Sequence, residues 1–179
     1  MIYMFLAEGF EEIEALCPLD LLRRVNLDIT TVGVGNKFIT GAHGITVKAD
    51  IVDTELSYSS LDMIFLPGGM PGTLNLAASD TVINAIKDAY RADAYIAAIC
   101  AAPSILGDMG LLKGKKAVCY PGFEERLIGA EIPEQNVVLD GKILTAKGMG
   151  VALEMGLEIV KIFCGEETAK KLSHAVISN

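Results

Sequence analysis

Histidine is nearly absent from this chain: of 179 residues only His43 and His174 are imidazoles. That scarcity narrows the catalytic machinery, because a Cys–His hydrolase needs an imidazole beside its nucleophile. Clustered cysteines are missing too. Cys17, Cys100, Cys119 and Cys164 are scattered with no C-x-x-C pair, which excludes the usual zinc spacing and a disulfide scaffold and fits reduced thiols in a cytoplasm. No apolar run approaches the roughly 20 residues of a membrane-spanning helix. The opening "MIYMFLAEGFEEIE" lacks a basic n-region and turns acidic at once, so no signal peptide is expected. Positive charge is in deficit, with 15 Lys and Arg against 23 Asp and Glu for a net charge of −8. This argues against a nucleic-acid backbone or an anionic membrane surface as partner. Internal repeats and low-complexity segments are also lacking.

What is present is a globular composition, 51% hydrophobic and 21% charged, long enough for one compact domain over residues 1–179. The hydrophobic period alternates along the chain. "IYMFLA", "LDITTVGV", "DMIFLPGG" and "YIAAI" read as buried strands, and "KAVCY" as a further short one. Helices are expected over "FEEIEALCPLDLLRRV", over "SDTVINAIKDAYRA" with Ser79 or Asp80 as N-cap, over about Ala101–Met109, over "GVALEMGLEIVKIFCG" ended by Gly165, and over roughly Glu166–Leu172. The stripe of the second of these is Val82, Ile83, Ile86 and Tyr90. "VVLDGKILTA" reads as a hairpin turning at Asp140-Gly141. Apolar strands alternating with helices predict an α/β three-layer sandwich, flavodoxin-like, with a mostly parallel sheet covered by helices on both faces. Its crevice should open beyond the carboxyl ends of the strands, where "AEGFEE", "LPGGM" and "ICAAP" fall.

Cys100 stands between Ala98 and Ala102, a small-x-Cys-x-small pattern that suits a nucleophile elbow, since a tight strand-to-helix turn has no room for larger neighbours. Pro103 fits a first helical turn, where unpaired N–H groups and the dipole favour a thiolate. The segment fits a buried thiol packing as a small hydrophobe equally well. Gly68 and Gly69 leave backbone amides open to a ligand or an oxyanion, although Gly-Gly more commonly just ends a strand. Glu8, Glu11, Glu12 and Glu14 crowd a helix N-terminus, where solvated acids complement the dipole. Glu14 differs in having Phe10, Cys17 and Leu21 at helical spacing. A carboxyl on that stripe is desolvated and keeps its proton. Glu12 has Leu16 and Leu19 beside it, so periodicity separates the two only weakly. "GVGNKF" has Gly33 and Gly35 but no third glycine of a dinucleotide fingerprint. Gly148 and Gly150 in "KGMGVALE" suit either a ligand loop or close helix–strand packing.

The combination "AEGFEEIEALCPLDLLRR", "DMIFLPGGMPG", "IAAICAAPSIL" and "ILTAKGMG" resembles the DJ-one/ThiJ/PfpI superfamily, specifically its DJ-one branch, over nearly the whole chain. The resemblance implies that Cys100 is the reactive cysteine and Glu14 the protonated glutamate that hydrogen-bonds it. Gly68, Gly69 and Ala101 match the backbone donors of an oxyanion-type pocket. It also implies a fold similar to class I glutamine amidotransferases, a homodimer, and no metal, glutathione or nucleotide cofactor. The chain departs from its relatives where they carry histidine. Ala101 follows the thiol where the protease-like branch has histidine, Tyr120-Pro121 replaces a frequent His-Pro, and His174 lacks the His-x-Glu of amidotransferases. His43 aligns near the dimer interface of the family. A missing histidine base disfavours peptidase and amidohydrolase chemistry. The function implied is that of a glyoxalase III or deglycase-type enzyme acting on small α-oxoaldehydes or glycated adducts, methylglyoxal to lactate. The alternative is an oxidative-stress sensor or redox-regulated chaperone in which Cys100 is oxidised to sulfinate.

Overall fold

A computed structural model describes residues 1–57 and 60–178. The chain begins with β1 (Ile2–Leu6), buried at every position, and passes into α1 (Glu12–Arg24). Next come β2 (Ile29–Gly33), the short strands β3 (Phe38–Thr40), β4 (Thr46–Lys48) and β5 (Ile51–Val52), and then β6 (Met63–Leu66). Two helices, α2 (Gly72–Ala78) and α3 (Asp80–Arg91), lead to β7 (Tyr95–Ile99) and α4 (Pro103–Asp108). The hairpin of β8 (Val137–Asp140) and β9 (Ile143–Ala146) precedes α5 (Ala152–Cys164) and α6 (Glu166–Ala175).

Among the described residues, seven strands form one sheet in the order β5-β2-β1-β6-β7-β9-β8, parallel throughout except for the β8–β9 pair. Side chains alternate across each strand, so β1 sends Tyr3 and Phe5 to one core and Ile2, Met4 and Leu6 to the other. The first core packs under α2, α3 and α4, the second under α1, α5 and α6. Gly156 brings α5 against α1: a Cβ there would lie 2.7 Å from Leu21 and 3.1 Å from the Pro18 backbone. This is the three-layer flavodoxin-like sandwich that the alternating period predicts. The chain runs from β1 to β2 on one side and returns to β6 on the other. The switch point therefore lies between the carboxyl ends of β1 and β6, where ligand crevices form in such sheets.

Several local expectations differ. "KAVCY" forms no strand beyond an isolated bridge from Lys116 to Glu131, because the Val118 N–H donates to the Thr145 hydroxyl at 3.0 Å instead of joining a ladder. The β8–β9 turn centres on Gly141-Lys142, since Asp140 still pairs with Ile143. Ser79 is the N-cap of α3, accepting from the Val82 N–H. The buried stripe of that helix is Val82, Ala85, Ile86 and Ala89, and Tyr90 faces solvent. The last helix runs on to Ala175. The β3–β4 hairpin has no counterpart in the apolar pattern, being two three-residue strands around a five-residue glycine-containing loop.

Candidate active site

Cys100 follows the last residue of β7, and its backbone sits at φ 63°, in the left-handed region that costs a side-chain-bearing residue free energy. The flanking geometry holds it there. The Cys100 N–H donates to the Ala146 carbonyl at 2.9 Å, and the Cys100 carbonyl accepts from the Tyr120 N–H at 2.8 Å. Ala98 and Ala102 are fully buried on either side, so larger residues have no room. Helix α4 starts only at Pro103. The sulfur is therefore served by two loop amides, Gly69 N–H and Ala101 N–H, and not by a helix end.

Glu14 reaches the same place from α1. Glu11 is the N-cap of that helix and accepts the Glu14 N–H at 2.7 Å, which fixes the first turn. The Glu14 side chain is 1% exposed, accepts the Gly68 N–H at 2.9 Å and the Met149 N–H, and is hydrogen-bonded to the Cys100 thiol. Gly68 must be glycine: a Cβ there would stand 2.6 Å from Cys100 Cβ and 2.7 Å from Glu14 Oε2. Its N–H is committed to the carboxyl, so of the three backbone donors expected from the sequence, Gly69 and Ala101 face the sulfur and Gly68 holds Glu14.

The periodicity did not separate Glu12 from Glu14, and the tertiary structure does. Glu12 turns to the loop between β3 and β4, accepting from the His43 N–H at 2.7 Å and bonding His43 Nδ1 at 2.8 Å. Those bonds hold its carboxyl below its usual range although burial opposes them. His43 has its pKa raised by that carboxylate and lies 4.0 Å from Glu11. Glu12 and His43 bond each other, and the partners of the thiol are Glu14, Gly69 and Ala101.

Burial pushes the Glu14 carboxyl up to about 7, with the Glu11 charge adding to it. Burial also pushes the Cys100 thiol up to about 12, and an ionised Glu14 beside it contributes the next largest part. Two acids in one desolvated crevice resist carrying two charges. The pair loses its first proton near neutrality and holds the second strongly. The thiolate expected at the elbow is thus conditional: the sulfur carries charge only when Glu14 holds the proton, and the carboxylic O–H then donates to it.

Met149 belongs to the site without having been singled out, and it is joined there by Gly148, which suited either a ligand loop or close packing, and by Tyr120, noted only as standing where relatives carry histidine. A Cβ on Gly148 would lie 3.3 Å from the Tyr120 ring and 3.8 Å from Glu14 Oε1. The "KGMG" glycines were the available signal, and their second meaning, close packing, concealed it.

Fold and site together define a flavodoxin-like α/β protein with a strained cysteine elbow facing a buried carboxyl. Residues 1–162 match the DJ-1/PfpI family. The chain is 37% identical over 174 residues to protein DJ-1 homolog B of Arabidopsis thaliana, covering 96% of this chain. It spans 40% and 44% of the length of the two Arabidopsis relatives, homologs B and A. It is 29% identical over 167 residues to the glutathione-independent glyoxalase DJR-1.2 of Caenorhabditis elegans, covering 92% of this chain and 89% of that protein. The structure of oxidized Toxoplasma gondii DJ-1 superposes with a TM-score of 0.94 at 31% identity, over 98% of this chain and 97% of that one. The chain belongs to the DJ-1/PfpI family.

Proposed function

We propose that this chain is a cofactor-independent, cysteine-dependent enzyme that converts small α-oxoaldehydes to α-hydroxy acids, methylglyoxal to lactate, with related glycated adducts as further substrates. One observation carries the reading: the Glu14 carboxyl, buried and titrating at about 7, is hydrogen-bonded to the thiol of Cys100 at its elbow. The Cys100 sulfur adds to the aldehyde carbon, and its proton ends on the aldehyde oxygen through Glu14. The amides of Gly69 and Ala101 stabilise charge as it builds beside the sulfur. Glu14 then takes the proton from the former aldehyde carbon and returns it to the neighbouring carbonyl carbon, while the hydroxyl proton of the hemithioacetal passes to the neighbouring carbonyl oxygen, leaving a thioester beside a new hydroxyl group. The first carbon is oxidised and the second reduced, so no external oxidant enters. Water cleaves the resulting thioester to the hydroxy acid and frees the thiol.

The test is lactate formation from methylglyoxal by the wild type, Cys100→Ser and Glu14→Gln. A loss of at least about 100-fold in either variant supports the roles assigned, and full turnover by Cys100→Ser overturns them. The exposed Ile13, Phe38 and Ile45 on α1 and the β3–β4 hairpin support a homodimer, and four free cysteines support a reducing cytoplasm. Among the described residues no helix is long and apolar enough to cross a membrane.

A second reading has its own support. The donors around the sulfur, Gly69 N–H, Ala101 N–H and a protonated Glu14, are also the partners a sulfinate would need. In that reading the protein senses oxidation or acts as a redox-regulated chaperone. Mass spectrometry after mild peroxide, run beside the methylglyoxal assay, separates the two.

A further inference from the structure

Tyr120 is a large aromatic residue at the site that the chemistry above leaves unused. Its backbone N–H donates to the Cys100 carbonyl at 2.8 Å, which ties the residue to the elbow. Its ring edge and Glu14 Oε1 flank the one point where Gly148 has no side chain. The ring joins neither hydrophobic core and is 51% exposed. Among the described residues its hydroxyl has no hydrogen-bond partner, so nothing fixes the ring by its polar end. A half-covered aromatic face beside a reactive sulfur has packing area to offer. Glu14 Oε1 flanks the same point and already faces the Glu11 charge, so a further negative charge, such as a carboxylate on the aldehyde itself, is disfavoured beside it.

We propose that Tyr120 is the specificity wall of the substrate pocket, and that the site takes uncharged α-oxoaldehydes with a flat aromatic substituent in preference to methylglyoxal. This rests on the enzymatic reading for its kinetics but not for its labelling test. The aldehyde carbon meets Cys100 while the substituent lies against the Tyr120 ring, covering area that a methyl group leaves wet. Offset or edge-to-face ring packing of this kind corresponds to about a tenfold gain in apparent affinity.

Two measurements on the full chain test it. In the first, wild type, Tyr120→Ala and Tyr120→Phe are assayed on phenylglyoxal, methylglyoxal and glyoxylate. The wild type should show a KM about tenfold lower for phenylglyoxal than for methylglyoxal and the weakest use of glyoxylate. Tyr120→Ala should bring the two KM values close together, and Tyr120→Phe should keep them apart because the hydroxyl is not engaged. In the second, Cys100 is alkylated with iodoacetamide or its N-benzyl analogue. The wild type and Tyr120→Phe should favour the benzyl reagent with saturation, and Tyr120→Ala should not. Aromatic preference in labelling without turnover of any aldehyde would retain the wall and end the enzymatic reading. Turnover with no aromatic preference, or a Tyr120→Phe protein that loses kcat at unchanged KM, would overturn the wall and leave the enzyme.

Discussion

The coupling of Cys100 and Glu14 predicts an unusual pH profile for thiol alkylation. With its pKa pushed up to about 12 by burial and by the neighbouring Glu14, a sulfur titrating independently of that carboxyl's proton would be ionised in roughly one molecule in 100,000 at pH 7, some thousandfold less than an ordinary cysteine. The paired sulfur behaves differently. The first proton leaves the pair at about 7, and the remaining proton is shared across one hydrogen bond, so some monoanions carry their charge on sulfur. Iodoacetamide labelling of Cys100, followed by peptide mass spectrometry from pH 5 to 11, should rise through an inflection near pH 7 and climb again only toward strongly alkaline pH. Glu14→Gln removes both the proton and the charge. The inflection near 7 should vanish, and the thiol should titrate once, below 12, because burial remains while the carboxylate repulsion is gone. A single titration at an ordinary cysteine value in both proteins would refute the coupling and, with it, the chemistry assigned to the pair.

Further outcomes follow from the same geometry. Glu14 titrates at about 7 folded against 4.5 as a free group, so the folded state binds the extra proton between those values. The stabilisation is complete below pH 4.5 and is lost as pH rises through 7, a difference of roughly 3 kcal/mol. Urea midpoints from pH 4.5 to 8 should fall in the wild type and stay flatter in Glu14→Gln. Gly68→Ala should abolish aldehyde turnover, because its methyl group displaces either Cys100 or Glu14; near-native activity would show that the crevice relaxes. Gly156→Ala should lower stability by about 1–3 kcal/mol through overpacking of α5 on α1, read as a drop in Tm. It lies on the helix pair and not on the sulfur, so the alkylation profile should keep its inflection near 7.

The large elements were legible because burial leaves a local trace. β1, β6 and β7 are covered on both faces, and their runs of Ile, Met, Phe, Leu and Ala say so without any tertiary knowledge. The elbow was legible for a similar reason: small residues at Ala98 and Ala102 and a proline at the helix start are steric requirements of the turn itself. "KAVCY" misled because burial is not pairing. Ala117, Val118 and Cys119 are buried, but the Ala117 N–H donates to the Glu131 carbonyl and the Val118 N–H to the Thr145 side chain. The β3–β4 hairpin escaped because three residues are too short to show a period.

By itself, then, the sequence determined the alternation of strands and helices, the parallel sheet and the thiol at the end of β7, all of which depend on the side chains of neighbouring residues. Only the tertiary structure decided that Glu14 meets the sulfur while Glu12 meets His43, that Gly68 serves the carboxyl, and that the thiol ionises at the expense of its neighbour. Proton affinity depends on desolvation and on charges a few ångströms away. Those distances join segments remote in the chain, and no local pattern encodes them.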